Sequence, residues 1–383
     1  MAKRICFFVL QLVLVLYSQI LQSQSHHKKI TLKDSIDGAI DLSDYIIYAN
    51  GFLVVPTLIT EPALGGVGGA LVPVFLKKHA PIIDENGKKR RINPDMTGAL
   101  AMYTANKSWL AGGFRVGTFI KPRINYKIMA AYGHLNLSFY ETLPFKGDQE
   151  FKFNFKSASV YVQALKEFRN FKWSAGPQYL FLNSDITLPN DNLPNFVTEK
   201  DLKSSVSQLG GAIQFDGRDN VFTPDKGVRF QSDFFWSNSA IGSDYSYWRL
   251  NYSLIGYYPI TKKIIAGIRF EGAQVLNDPP FYLKPSINLR GVPAGRYQGN
   301  ATLVTEAEFR FDVYKRWSVM LYGGVGDAFD EWDNTFNKSI TYNYGSGFRY
   351  LIARKFKLRM GMDIAKGPEQ WAYYVVFGSN WMR

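Results

Sequence analysis

Glu306-Ala307-Glu308-Phe309-Arg310-Phe311-Asp312-Val313 sets polar and small or apolar side chains in strict alternation. Successive side chains of a β-strand point to opposite faces, so this stretch reads as a strand with one polar and one apolar face. The pattern recurs. Phe356, Leu358, Met360, Met362 and Ile364 alternate with Lys357, Arg359, Gly361 and Asp363. Trp248, Leu250, Tyr252 and Leu254 alternate with Arg249, Asn251 and Ser253, and Val228 and Phe230 with Arg229, Gln231 and Asp233. Phe171, Trp173, Ala175 and Tyr179 alternate with Lys172, Ser174, Gly176 and Gln178. A soluble sandwich also alternates, but its strands average about five or six residues. Many segments here run longer, and their apolar faces carry Phe, Tyr, Trp, Leu and Met. A membrane-crossing strand needs about nine to eleven residues, with lipid outside and a polar lumen inside.

Composition narrows the choice. Aromatic residues make up 16% of the 383, too many for a disordered chain. A mean hydropathy of −0.15 excludes a bundle of membrane helices. One cysteine excludes a disulfide scaffold. Residues 51–76 carry a single charge, Glu61, but Pro56, Pro62, Pro73 and five glycines argue against a spanning helix. Glu61-Pro62-Ala63-Leu64-Gly65-Gly66 reads as the loop of a hairpin.

Residues 1–23 have the layout of a secretory signal peptide: Lys3 and Arg4, then an apolar run from Ile5 to Leu21, then a polar exit with cleavage near Ser23. Cleavage removes Cys6, Lys3 and Arg4, and takes the formal net charge from +13 to +11. Residues 24–50 form a short periplasmic segment, and residues 51–383 the barrel. Sixteen candidate strands begin between about residue 52 and residue 371, the even number usual in bacterial single-chain barrels. The expected fold is therefore all-β, a transmembrane antiparallel β-barrel of about 16 strands behind an N-terminal signal peptide. Arg169-Asn170, Thr261-Lys262, Lys315-Arg316 and Arg354-Lys355 read as short periplasmic turns. The long stretches 188–203, 278–299 and 330–340 belong on the outer side. Residues 78–95 are too long for the turn expected there.

Several segments resemble Bacteroidota members of the BamA/TamA family of outer-membrane proteins, the bacterial surface antigen superfamily. Residues 51–69 (GFLVVPTLITEPALGGVGG) resemble the start of that family's barrel. Asp216-Gly217-Arg218-Asp219-Asn220, with Phe222, Pro224 and Gly227, resembles its D-x-R-D-n-x-f-x-P-x-x-G hairpin. Leu289-Arg290-Gly291 resembles the V/L-R-G-F/Y motif of the sixth extracellular loop, and Ala307-Glu308-Phe309-Arg310-Phe311 the glutamate-bearing strand after it. The resemblance covers roughly residues 45–383. It implies a loop folded back into the lumen and a role in assembling or translocating proteins or lipids at the outer membrane. Three departures stand out. Residues 24–50 are too short for a periplasmic POTRA domain. Gly324 replaces the aspartate of the family's F-x-D-x-G pattern, with Asp327 shifted. The chain ends on Arg383, beyond Trp381, where the family's insertion signal ends on an aromatic.

Arg290, once inside a barrel, needs carboxylate partners, because an unpaired buried charge is costly. Glu306 and Glu308 are the expected partners, and a bidentate Arg290–Glu308 pair is the natural arrangement. Asp216, Arg218 and Asp219 read as structural, satisfying turn backbone groups and pairing locally. The charges expected in the lumen (Arg269, Glu271, Glu306, Glu308, Arg310, Asp312, Arg359, Asp363) suit either a hydrated pore or a closed ion-pair network. A passive channel or structural barrel is thus the first alternative. A phospholipase-like enzyme is the second, because His134, Asn136 and Ser138 share one strand face. With Leu135, Leu137 and Phe139 on the lipid side, those three are expected to face inward, away from a lipid substrate. No enzyme activity, catalytic residue, cofactor or metal is therefore expected. The expected partners are outer-membrane lipid and a periplasmic or outer-membrane protein, with a monomeric barrel and no nucleic acid; the excess of Lys and Arg suits anionic head groups.

Overall fold

The computed structural model describes residues 31–48, 51–77, 79–80, 82–83, 89–90, 94–143, 147–168, 172–189, 193–277, 279–335 and 340–381. The signal peptide, Ser23, Cys6, and the Arg169-Asn170 turn lie outside them. The chain divides into two compact units between Tyr48 and Ala49. In the first, an isolated bridge joins Lys33 to Ile40 and a short helix spans Ser43–Tyr48.

The second unit holds one sixteen-stranded antiparallel sheet in which every strand pairs with its neighbours in chain order. Its strands are β1 (Phe52–Ile59), β2 (Gly68–Lys77), β3 (Asp95–Thr104), β4 (Trp109–Phe119), β5 (Ile124–Leu143), β6 (Gly147–Phe168), β7 (Trp173–Thr187) and β8 (Lys203–Asp216). They continue as β9 (Gly227–Ser237), β10 (Tyr247–Pro259), β11 (Ile264–Leu276), β12 (Ala301–Tyr314), β13 (Trp317–Phe329), β14 (Thr341–Ala353), β15 (Leu358–Lys366) and β16 (Trp371–Phe377). Cα atoms of β1 and β16 come within 8 Å, so the sheet curls into a nearly closed barrel. Among the described residues no ladder joins those two strands.

Thr261-Lys262, Lys315-Arg316 and Arg354-Lys355 follow β10, β12 and β14, and so mark one end of the barrel. The connections before β8, β12 and β14 mark the other. The long connection after β2 lies at the short-turn end and carries its own two-stranded ribbon, Ile82–Ile83 with Lys89–Arg90. Its length therefore leaves the strand count unchanged. Strands β5 and β6 have 20 and 22 residues. At about 3.3 Å per residue they reach roughly 65–70 Å, twice the hydrocarbon thickness even before tilt.

Following the register from Glu306 identifies the inner face of each strand. Glu306 lies opposite Arg269, Arg269 opposite Ile255, and Ile255 opposite Arg229. From β9 to β15 the inner face is polar and the outer face apolar: Phe309, Leu321, Phe348 and Met362 on the outside are 40–47% exposed. Strict alternation stops short of the first strands. On β1 to β4 the inner face carries Leu53, Val55, Val72, Val74, Met96, Leu100, Met102, Leu110, Phe114 and Val116, while the outer face carries Phe52, Val54, Leu71 and Phe75. These strands are apolar on both sides and read as continuous hydrophobic runs. That is why residues 51–76 resemble a membrane helix in hydropathy.

The register also corrects the expected orientation of β5. Leu135, Leu137 and Phe139 face inward, whereas His134, opposite Trp109 on β4, faces outward together with Asn136 and Ser138. They sit in the half of β5 that carries an inner aromatic cluster, where Phe139, Phe153 and Phe155 are buried.

Candidate functional site

The connection between β11 and β12 folds into the barrel. Phe281, in its first turn, packs on the inner aromatic cluster, with ring centroids 4.9 Å from Phe139 and 5.1 Å from Phe153. Further on, Ile287, Leu289 and Val292 pack with Val304 of β12. Between Leu289 and Val292 the backbone turns at Gly291, whose φ of +84° is unstrained only for glycine. A Cβ there would lie 2.7 Å from the amide nitrogen of Gly367, and the Gly291 N–H donates to the Tyr374 hydroxyl at 2.8 Å. The turn is thus pressed against the end of β15 and the middle of β16.

This turn aims Arg290 at three carboxylates. Its Nε donates to Glu306 Oε1 at 3.0 Å, and its Nη1 to Glu308 Oε2 at 2.9 Å and to Asp363 Oδ2 at 3.0 Å. The guanidinium carbon lies 3.3 Å from the centroid of the Tyr322 ring. The expected bidentate pair with Glu308 alone is therefore corrected: the fork spreads over β12 and β15. Asp363 is itself gripped by both terminal nitrogens of Arg349, at 2.6 and 2.9 Å. Glu306 Oε1 also accepts from Asn343, and Arg269 lies 3.3 Å from Oε2 while pairing with Glu271 at 2.6 Å. Arg290, Glu306, Glu308, Arg349 and Asp363 are all at least nine-tenths buried. Their charges meet only because each strand presents its polar face to the same interior.

Sequence reasoning singled out neither Arg349 nor Asn343, and it missed a member from the last residues as well. After Phe377 the chain turns at Gly378, with φ of +80°, and leaves the wall. The last strand, expected to begin near residue 371, thus ends at Phe377. Ser379 bonds the Tyr257 hydroxyl at 2.7 Å, and Trp381 is 2% exposed, packed on Tyr257 with Ile255 and Ile265. Its indole Nε1 donates to Glu306 Oε2 at 2.6 Å. The glycine and aromatic near the terminus were visible in the sequence; their inward course was not.

The hairpin residues form a second cluster at the short-turn end. Arg218 binds Asp216 through two nitrogens, at 2.9 and 2.7 Å. Asp219 accepts from the amides of Asp225 and Lys226, and Gly227 has φ of +108°. The connection reaches well beyond its own strands. Arg310 of β12 pairs with Asp225 and donates to the Pro224 carbonyl, Lys357 after β14 bridges Asp219 and Asp225, and Phe222 accepts from the Ser379 amide. Arg359 and Asp312 join the same end, 3.3 Å apart. Residues 217–226 therefore brace β12, the β14–β15 turn and the tail at once, which exceeds the local structural role expected of Asp216, Arg218, Asp219, Pro224 and Gly227. Of the rest, the Ser138 hydroxyl donates to Glu150 at 2.6 Å, and no bond joins it to His134 among the described residues. No group of acidic, His or Cys side chains suited to a metal occurs among the described residues.

The fold is shared with solved outer-membrane barrels. The BamA structure from Haemophilus ducreyi lacking POTRA domains 1-3 matches with a TM-score of 0.58 at 12% identity, over 86% of this chain and 70% of that one. CdiB from Escherichia coli matches with a TM-score of 0.55 at 9% identity, over 85% of this chain and 61% of that one. CdiB from Acinetobacter baumannii matches at 0.50 and 11%, over 86% and 59%. No curated protein matches in sequence. The Omp85 superfamily domain profile matches residues 104–353, from the end of β3 to the end of β14, and the chain belongs to that superfamily.

Proposed function

We propose that this barrel sits in the outer membrane, short-turn end towards the periplasm, and assembles or translocates proteins or lipids there without enzymatic chemistry. The observation that carries the reading is the seam. β1 and β16 have eight and seven residues, approach each other and share no ladder among the described residues. Strand edges with free N–H and C=O groups are templates for another strand. A short seam opens at less cost than any of the continuous ladders elsewhere in the wall. A periplasmic partner protein would deliver clients to that seam.

The test is depletion in the native host, combined with a seam lock. Loss of the protein is expected to lower the level of other outer-membrane barrels or lipids. Cysteines introduced in Phe52–Ile59 and Trp371–Phe377, once oxidised, should reproduce that loss, and reduction should reverse it. Normal membrane composition after depletion would overturn the reading.

A further inference from the structure

The two ends of the barrel differ in charge. At the short-turn end, residues 120–123, 217–226, 260–263, 315–316 and 354–357 join strands that are neighbours in the wall, and every one of these turns carries lysine or arginine. Their carboxylates are Asp219 and Asp225 alone, and Lys357 holds both. Lys121, Lys226, Lys262, Lys263 and Lys315 are exposed, as is Lys172 at the foot of β7, and none of the six forms an ion pair among the described residues. The other end is different. Residues 330–340 carry Asp330, Glu331 and Asp333 against Lys338, and residues 60–67 carry Glu61 and no cation.

The bare cations form a girdle rather than a patch. Strands stand about 4.8 Å apart, so successive short turns stand roughly 10 Å apart around the wall. Beside them runs a belt of aromatic rings: Phe119, Phe168, Tyr258, Tyr314 and Trp317 are 41–71% exposed. The register puts the belt on the outer face. Phe119 shares a face with Trp109, the partner of outward His134, and Tyr258 and Trp317 share faces with outward Leu254 and Leu321. Such rings settle at the boundary between hydrocarbon and head groups. Lys121, Lys172, Lys262 and Lys315 lie within four residues of an aromatic on this belt. Their ammonium groups therefore stand at the depth of the lipid phosphates.

Lysines beside an anionic leaflet are drawn to it, and an anion between two of them relieves their mutual repulsion. We propose that the short-turn rim binds anionic phospholipid, several molecules around the wall from β4 to β15, with phosphates between the lysines and acyl chains against the aromatic belt. An acidic protein fits less well. It would meet one arc of the girdle and leave the lysines on the far side uncompensated, whereas bilayer lipid surrounds the whole wall. The carboxylates at the opposite end confine the preference to one leaflet. The inference rests on the membrane placement proposed above and not on client assembly, so its failure would leave the depletion test untouched.

The full-length protein is placed in nanodiscs of phosphatidylglycerol and phosphatidylcholine with the same chains, in equal amounts. Native mass spectrometry from ammonium acetate then counts the lipids released with the barrel. Phosphatidylglycerol should be enriched about fivefold, the factor supplied by one lysine beside an anionic surface. Enrichment should vanish at about 1 M salt, where the screening length falls to roughly 3 Å. It should also vanish when Lys121→Gln, Lys172→Gln, Lys262→Gln, Lys263→Gln and Lys315→Gln are combined, and persist when Lys107→Gln, Lys152→Gln and Lys203→Gln are combined at the opposite end. Inorganic phosphate should not displace the lipid. Heat-modifiable migration on gels reports folding, and the pair Lys262→Gln with Lys263→Gln, expected to lower the enrichment, replaces the larger set if that does not fold. Equal release of the two lipids would overturn the proposal and leave the rim to an acidic protein. Displacement by inorganic phosphate, enrichment that survives the rim substitutions, or an equal loss from the opposite-end set would each overturn it as well.

Discussion

Glu306 is the residue on which the interior converges. One oxygen takes the Arg290 fork and the Asn343 amide, the other the Trp381 indole, with Arg269 alongside. Glu306→Ala takes from Arg290 and Arg269 a carboxylate they share, leaving Glu308, Asp363 and Glu271 to balance them, and breaking into a buried ion-pair network in this way typically costs about 3–5 kcal/mol. The expected result is loss of heat-modifiable migration or a clear fall in the guanidinium chloride unfolding midpoint in detergent. Arg290→Lys should not rescue, because an ammonium lacks the planar fork that reaches Glu306 and Glu308 together. Trp381→Phe keeps most of the ring packing and removes one donor to a buried carboxylate. A loss of about 1–3 kcal/mol is expected, smaller than for Trp381→Ala. Arg290, Glu306 and Glu308 could be read from the sequence because alternation gave each strand a polar face and the loop motif sits just upstream. Asp363 was legible as a luminal charge but not as a partner of Arg290. That contact spans 73 residues and exists only once the sheet has curled.

The connection between β8 and β9 acts as a brace, and its charges give it a pH dependence. Burial pushes the Asp225 carboxyl up, but bonds from Lys357 and Arg310 outweigh it and hold the group below the usual carboxylate range. Asp219 is lowered in the same way by Lys357 and two backbone amides. Burial lowers Lys357, while its bonds to Asp225 and Asp219 outweigh that and raise it. A depressed carboxylate contributes stability that is complete above about pH 4 and is lost as pH falls through the folded value. The Lys357 contribution is complete below about pH 10 and is lost above it. Lys357→Ala should therefore raise the midpoint of acid unfolding followed by tryptophan fluorescence. With its side chain 46% exposed, its worth near neutrality is at most about 1 kcal/mol. At this scale the sequence misled in the first third. Period-two reading needs faces of different polarity, and β1 to β4 have two apolar faces, so neither strand orientation nor the inner wall could be assigned. The inversion of β5 has a related cause: Leu135, Leu137 and Phe139 are apolar because Phe281 covers them from inside, which hydropathy cannot distinguish from lipid.

For the whole barrel, the infolded loop and the brace stand between the two mouths. Replacing residues 279–299 with a short Gly-Ser linker should raise single-channel conductance in planar bilayers several-fold over the parent protein, and an unchanged conductance would show that the loop does not obstruct the lumen. The inward course of the last residues has a practical outcome. Trp381 is housed within the cylinder, so any reporter fused behind Arg383 tethers its bulk to an anchor under the roof of the interior. Affinity tags and fluorescent fusions are better accommodated at the tips of the exposed hairpins, where added mass hangs free.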